Sequence, residues 1–271
     1  MSISGQLKDE IRQTLVDYHN NLGSPKLCDE LDFIHRTVAF FKHVSVAHGH
    51  QSFTTSARSI DKSPIVEFLH STPSNNPAKK EIADLLFVSK FKKGNHVTEK
   101  RAVVVQSKFN QTEQRLWKFD TAQFYLVSKW PPFSRIKPGP PKPYLLQPQS
   151  LAWGSYVFVG PEALENPVYF ASSRILKENP SIFSHKTFSF NPKKLNSFDT
   201  SPSFLMRHIL CLIGENLYAN SNIESFVDEM YRIVGLKPDP PNEFYWDSMN
   251  DENESTGFGV VEFSLSMPEN E

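Results

Sequence analysis

Three residues in the first half of the chain have types and a spacing that could support hydrolytic chemistry, namely Asp84, Gln106 and Lys108. A carboxylate and an amide oxygen can both bind a hard cation such as Mg²⁺, and a lysine can offset negative charge that develops on an oxygen. Asp84 lies in the apolar stretch 82–88, where an ionised carboxylate is costly unless it is paired or binds a metal. These residue types therefore indicate a metal-assisted site.

Gln106 and Lys108 belong to residues 101–109, a run that is typical of a β-strand. Because side chains alternate along a strand, these two share one face, and the opposite face carries Val103, Val105, Ser107 and Phe109. A second β-type run, residues 82–91, precedes this one, and a polar stretch with a glycine joins the two. The pattern predicts a β-hairpin with Asp84 on its first strand.

This arrangement resembles the PD-(D/E)xK nuclease superfamily, whose signature is an Asp on one strand and (D/E)-x-K on the next. The resemblance covers roughly residues 60–130 and rests on Asp84 followed by Gln106-Ser107-Lys108. Gln106 departs from the usual acid and is similar to the Q-x-K variant of Mrr-like restriction endonucleases. The resemblance implies an α/β fold with a restriction-endonuclease-like core, in which helices flank a mixed central sheet in αβββαβ order, and a C-terminal α+β extension.

The resemblance also implies a function, a metal-dependent nuclease that hydrolyses phosphodiester bonds in DNA, with Mg²⁺ as cofactor and Mn²⁺ as a substitute. Asp84 and Gln106 would bind the ion, and Lys108 would position or activate a water molecule. A further acidic ligand is expected, because one carboxylate is too few for a strong Mg²⁺ site. Glu67 is favoured over Glu81, since strand alternation turns Glu81 away from Asp84.

Two alternatives remain open. In the first, the loss of the acid at Gln106 marks an inactive nuclease fold that binds nucleic acid or a partner protein. In the second, Asp84 and Lys108 form an ordinary ion pair in an interaction protein. Host (antiviral) defence or DNA processing is in keeping with the resemblance. A homodimer is a further expectation, since one site cuts one strand of a duplex, and a place in a larger complex is an alternative.

Composition is typical of a folded protein, with 39% hydrophobic and 22% charged residues among 271. No apolar stretch approaches the roughly 20 residues of a membrane helix, and no signal-peptide core is present, so we expect a cytoplasmic protein without a membrane segment. After Lys237 there are nine acidic residues and no Lys or Arg. The preceding part carries a net charge of +8, which suits a polyanion-binding surface.

The elements predicted outside the hairpin fall into three segments, residues 1–130, 131–238 and 239–271. The first begins with helices over about 4–22 and 24–43, of which the second is capped by Ser24, and ends with a helix over 112–121 and a strand over 123–130. The proline-rich second segment holds β-type runs and then helices at about 203–218 and 222–234, the latter capped by Asn222. The third is an acidic tail that either masks the basic body or merely solubilises it. Alternating apolar residues within it predict an edge strand, namely Val261, Phe263, Leu265 and Met267.

Overall fold

Helices pack against both faces of one large β-sheet in this computed structural model. The structure describes residues 3–23, 27, 29–61, 63–70, 77–109, 117–135, 143–160, 168–173, 187–190, 199–236 and 257–269. The helices are α1 (Gly5–Gly23), α2 (Glu30–Phe41), α3 (Thr121–Lys129), α4 (Ser201–Ile209) and α5 (Ser221–Ile233), with a 3₁₀ turn at Leu217–Ala219. No helix in these ranges is both long enough and apolar enough to span a membrane.

Fifteen strands lie in the described ranges. They are β1 (Ser45–His48), β2 (Gln51–Ile60), β3 (Ile65–Leu69), β4 (Pro77–Glu81), β5 (Leu85–Lys93), β6 (His96–Phe109), β7 (Trp117–Asp120), β8 (Phe133–Arg135), β9 (Pro143–Tyr144), β10 (Gly154–Val159), β11 (Val168–Ser172), β12 (Thr187–Phe190), β13 (Asp199–Thr200), β14 (Glu215–Asn216) and β15 (Phe258–Met267).

The large sheet is mixed and has the strand order β1-β2-β15-β5-β6-β10-β11-β13, with β14 also paired to β6. Strands β5 and β6 are antiparallel, whereas β10 is parallel to β6 and β15 is parallel to β5. A smaller sheet has the order β4-β3-β8-β9, and β7 pairs with β12. The expected mixed central sheet with flanking helices is therefore present, and it takes strands from all three predicted segments.

Side-chain alternation along β5 and β6 builds a hydrophobic core on each face of this sheet. Leu85, Phe87 and Val103 pack with apolar residues of α1, α2 and α4. Leu86, Val88 and Val104 face the opposite way and pack with residues of α3, α5 and β3. Because both faces are covered, a polar side chain can reach solvent from the central strands only near their ends.

The predicted hairpin is confirmed. Strands β5 and β6 pair with Leu85 opposite Val105, and they are connected at Gly94, whose φ of 55° suits a residue without a Cβ. Asp84 lies one residue before β5 instead of within the strand. The first predicted helix is also confirmed, and its five expected core positions are all buried: Leu7, Ile11, Leu15, Tyr18 and Leu22.

The predicted start of the second helix was wrong. Helix α2 begins at Glu30, where the carboxylate of Asp29 accepts a hydrogen bond from the backbone N–H of Asp32 and so caps the helix. Ser24 and Pro25, the predicted first residues, lie outside the described residues. This correction places Glu30 in the first turn of α2.

The prediction for residues 112–130 was also wrong where the structure describes them. Residues 117–120 form β7 and pair with β12, and the predicted strand over 123–130 is helix α3. The side chain of Asp120 accepts a hydrogen bond from the backbone N–H of Gln123 and caps this helix. Capping and burial of Phe124 and Val127 outweigh the β-propensity of the run.

Three further differences lie elsewhere in the chain. Strand β15 pairs with β2 and β5, so it is a central strand and the expected edge strand was wrong. Helix α4 ends at Ile209, well before the predicted residue 218, and Asn220 caps α5 in place of Asn222. Strands β1 and β2 were not predicted, because their sequence is largely polar.

Candidate active site

The backbone of Asp84 joins three central strands. Its N–H donates to the carbonyl oxygen of Val105 on β6 at 3.0 Å, and its own carbonyl accepts from Gly259 on β15 at 2.9 Å. Its side chain extends toward the C-terminal part of β6, and the residue is only 3% exposed. The carboxylate is therefore held in a defined position with little access to bulk water.

Three hydrogen bonds reach a single oxygen of this carboxylate, Oδ2. Nε2 of Gln106 donates to it at 2.7 Å, and the backbone N–H and the hydroxyl of Ser107 each donate at 2.5 Å. The backbone N–H groups of a strand lie in the plane of the sheet, so the Asp84 carboxylate lies in that plane beside β6. It can therefore accept hydrogen bonds from side chains on both faces of β6, namely those of Gln106 and Ser107. Within the described residues, Oδ1 of Asp84 accepts no hydrogen bond.

The amide of Gln106 is held from two sides. Its Nε2 faces Asp84, and its Oε1 accepts a hydrogen bond from Nε2 of Gln123 on α3 at 2.8 Å. Gln123 also donates to the backbone carbonyl of Glu81 at 2.7 Å, which fixes the orientation of both amides. The carbonyl oxygen of Gln106 is thus directed toward α3, and its amide nitrogen, instead of its oxygen, faces Asp84.

Lys108 faces the first residue of α2. Its Nζ lies 3.5 Å from Oε1 of Glu30, and its side chain is 17% exposed. Alternation starts residue 108 on the same side of β6 as Gln106, the side covered by α3, and its long side chain nevertheless contacts Glu30 of α2, which packs on the other side. The structure therefore brings Glu30, Asp84, Gln106 and Lys108 together near the C-terminal end of β6.

Electrostatics in this cluster oppose the ionisation of Asp84. Burial raises the pKa of Asp84, repulsion from Glu30 raises it further, and Lys108 and the hydrogen bonds from Ser107 lower it, with a result of about 7. Asp84 therefore holds its proton to a much higher pH than an ordinary carboxyl group. A bound cation would remove that proton and relieve the repulsion between the two acids.

The same cluster favours the charged form of Lys108. Burial by itself lowers the pKa of Lys108, but attraction from Glu30, Asp84 and Glu81 outweighs burial and leaves the pKa above its usual 10.5. The ammonium group therefore stays charged at neutral pH. A permanent positive charge at this position can contact a phosphate oxygen or a leaving oxygen.

The two candidates for an additional acid are placed differently from the prediction. Glu67 lies on β3 in the smaller sheet, opposite Lys79 and Ser134, and the inward positions of that strand are Val66 and Phe68. Alternation turns Glu67 away from the core that adjoins Asp84, and it is not among the charges that act on Lys108. Glu81 is among them. The assignment of Glu67 as the additional ligand is therefore corrected, and the acid nearest to Lys108 is Glu30.

Sequence reasoning missed Glu30, Ser107 and Gln123. Glu30 precedes Asp84 by 54 positions, and no local pattern connects them. Ser107 was assigned to the opposite face of β6, because alternation does not account for an acceptor that lies in the plane of the sheet. Gln123 could have been found if Asp120 had been recognised as a helix cap.

The side chains present could hold one divalent ion with few protein ligands. Asp84 and Glu30 offer carboxylate oxygens, whereas the amide oxygen of Gln106 is directed at Gln123. No group of three or more His, Cys, Asp or Glu side chains with metal-binding geometry occurs in the part of the chain that the structure describes. This donor set fits Mg²⁺, which commonly binds through one or two carboxylates and retains several water molecules.

Comparison with protein-family models, with curated proteins and with solved structures finds no match for this chain. The case for a function therefore rests on the geometry of the site.

Proposed function

We propose that this protein is a Mg²⁺-dependent nuclease that hydrolyses phosphodiester bonds in DNA, with Glu30, Asp84, Gln106 and Lys108 as its active site. One observation carries the proposal. The carboxylate of Asp84 is buried, it is repelled by a second acid from α2, and it lies beside a charged lysine on the neighbouring strand. This combination destabilises the empty site and favours a bound cation.

The elements around the site also support this proposal. The hairpin β5–β6 carries Asp84, Gln106 and Lys108, helix α3 follows, and β10 then runs parallel to β6. That order is compatible with the second half of a restriction-endonuclease-like core, in which a helix connects two parallel strands.

Each side chain has a role that follows from its position. Asp84 and Glu30 would hold Mg²⁺, and Gln106 would orient Asp84 through the hydrogen bond to Oδ2. When bound, Mg²⁺ supplies Lewis acidity toward a phosphoryl oxygen and lowers the pKa of a coordinated water. Lys108 would orient the attacking water and stabilise negative charge on the phosphate. Cutting both strands of a duplex would then require two such sites, as in a homodimer.

The proposal is tested by incubating labelled duplex DNA with the protein in Mg²⁺, in Mn²⁺ and in EDTA. We expect cleavage with either metal and none in EDTA. Asp84→Asn removes the charge and retains an oxygen that can accept the hydrogen bonds of Gln106 and Ser107, so the variant should fold and lose at least about 100-fold in rate. Glu67→Gln serves as the control and should cleave like the wild type.

Three outcomes distinguish the alternatives. Cleavage that survives Asp84→Asn contradicts the assigned site. Binding of DNA without cleavage in any metal favours an inactive nuclease fold, for which the amide at Gln106 is the structural reason. Neither binding nor cleavage favours an interaction protein with an ordinary ion pair.

A further inference from the structure

A cavity whose lining contains none of the proposed active-site residues lies beside the middle of β6. Its volume is about 860 Å³, and Arg101 of β6 lines it. Arg101 and Lys108 are seven positions apart on the same strand, which corresponds to about 23 Å. The cavity has the size of a small-molecule site and is distinct from the Asp84 cluster.

The apolar part of this cavity has a rigid base and an exposed mouth. Phe170 and Phe204 line it with their rings stacked at 4.3 Å, and both are buried. Leu151 and Leu212 also line it but are 61% and 65% exposed. Exposed apolar side chains that surround a cavity are a feature of ligand-binding sites.

The backbone holds Leu212 in this exposed position at some cost. After α4, the backbone N–H of Leu212 donates to the backbone carbonyl oxygen of Arg207, and that of Cys211 donates to the backbone carbonyl oxygen of His208. This is the pattern of a Schellman motif. Cys211 occupies the left-handed position, with φ of 55°, where glycine is usual and another residue costs about 1 kcal/mol. The following apolar residue normally packs back on the helix in this motif. Leu212 instead lines the cavity.

The two arginines of the cavity can bind an anion through donors that their ion pairs leave unused. Its two carboxylates are already engaged, since Asp199 binds Arg207 at 2.8 Å and Glu215 accepts the backbone N–H groups of Gln149 and Ser150. The arginines retain donors. Within the described residues Arg207 uses one nitrogen, toward Asp199, and its side chain is half exposed. Arg101 uses two, one in an ion pair with Glu99 at 2.7 Å and one toward the carbonyl oxygen of Gly214. Guanidinium groups with unused donors bind carboxylate, sulfonate or phosphate groups.

We propose that this cavity binds a small amphipathic anion, with its apolar body between Leu151 and Leu212 and its acidic group on Arg207 and Arg101. The ligand class is an aromatic or aliphatic molecule that carries one acidic group. Binding at this position is independent of the proposed nuclease activity.

Two fluorescent probes of similar shape test the proposal on the full chain. Anilinonaphthalene sulfonate has an aromatic body with an anionic group, and phenyl-naphthylamine is its neutral counterpart. We expect the wild type to bind both at one site, with tighter binding of the sulfonate. Arg207→Glu should weaken binding of the sulfonate at least about tenfold and leave the neutral probe within about twofold, because only one probe carries the charge. Leu212→Ser should weaken both.

Matched controls are available elsewhere on the surface. Arg12 pairs with Asp9 at 2.7 Å and is also about half exposed, so Arg12→Glu should change neither affinity. Leu145 is an exposed leucine that does not line the cavity, and Leu145→Ser should likewise have no effect. Equal losses in Arg207→Glu and Arg12→Glu, or no saturable binding to the wild type, would overturn the proposal. If Arg207→Glu weakens binding of the neutral probe as well, the affinities of Arg207→Gln for both probes are measured. Weakened binding of both probes by Arg207→Gln would also overturn the proposal that Arg207 recognises the charge.

Discussion

Two lysine–glutamate pairs on the same sheet differ in a way that separates structural charges from candidate functional ones. Lys90 of β5 lies 2.5 Å from Glu262 of β15, and the hydroxyl of Tyr231 also donates to Glu262 at 2.5 Å. Lys108 of β6 lies 3.5 Å from Glu30. Both lysines are largely buried, with side chains that are 21% and 17% exposed.

The first pair is balanced, because one lysine binds one carboxylate at contact distance and a tyrosine hydroxyl satisfies the same carboxylate. The second is not balanced. Glu30, Asp84 and Glu81 all act on Lys108, and burial together with repulsion from Glu30 raises the pKa of Asp84. A buried ion pair in which the two charges cancel does not attract a further ion. A cluster with more acidic than basic groups, whose lysine and glutamate are not in close contact, favours a bound cation. The predictions below test this difference.

The largest expected effect distinguishes the two lysines by activity. Lys108→Met should reduce Mg²⁺-dependent DNA cleavage by at least about 100-fold, because it removes the charge that faces the reacting phosphate. The double variant Lys90→Met, Glu262→Met removes both partners of the balanced pair and should retain cleavage within about twofold. Initial rates measured on variants of equal circular dichroism check this. Similar losses in both variants would remove the distinction.

The second prediction concerns stability against pH in the absence of metal. The folded-state pKa of Asp84, about 7, lies above the ordinary aspartate value of 3.8, so the folded protein holds this proton more tightly than the unfolded chain. Its stabilising contribution is fully present below pH 3.8 and is lost as pH rises through 7. Asp84→Asn avoids this loss. Its advantage in the free energy of unfolding should grow across that window to at most roughly 4 kcal/mol.

Urea unfolding in EDTA at pH 5 and pH 8 measures the effect. The double variant at Lys90 and Glu262 provides the control and should show no such increase. An advantage of Asp84→Asn that is the same at both pH values would mean that Asp84 ionises normally in the folded protein.

A third prediction concerns Gln106→Glu, which replaces the donor to Asp84 by a second carboxylate. Without metal this variant should be less stable at neutral pH, because the two acids then lie at about the distance of the present 2.7 Å hydrogen bond. This variant should bind Mn²⁺ about tenfold more tightly than the wild type, because the substitution places a carboxylate oxygen beside Asp84 where the wild type has an amide nitrogen that cannot bind a cation. Calorimetry measures both affinities.

Gln13 offers a matched control for this variant. It donates to Asp17 at 2.9 Å on the exposed surface of α1, in the same amide-to-carboxylate arrangement. Gln13→Glu should leave Mn²⁺ affinity unchanged and should alter stability only slightly, because solvent screens the two charges. Unchanged affinity in Gln106→Glu would show that position 106 does not face the ion.

The smallest expected effect is on the pKa of Asp84 itself. Glu30→Gln removes a repulsive charge, so this pKa should fall from about 7 toward its usual range. The midpoint of the pH-dependent stability change should move to lower pH accordingly. Glu67→Gln should not move it, because Glu67 lies on the smaller sheet and faces away from the site. A shift in Glu67→Gln alone would restore Glu67 as the second acid.

Local pattern was sufficient for the elements whose signals are contained in a few neighbouring residues. The apolar period of residues 4–22 predicted α1, and alternation around a polar, glycine-containing turn predicted the β5–β6 hairpin, although Asp84 lies one residue before its first strand. These features depend on side-chain period and turn conformation, which the sequence specifies directly. Where a cap competes with β-propensity, as at Asp120, the local pattern misled.

Only the tertiary structure decided which further residues meet Asp84. Glu30 reaches the cluster because α2 packs across the sheet, and Gln123 reaches it because α3 covers the other face. Likewise, the run 258–267 alternates in sequence like a half-exposed strand, yet it lies between β2 and β5 with both faces covered. A sequence specifies which face of an element is apolar. Which distant element covers that face depends on how all the elements pack together, and that packing brings the second acid to Asp84.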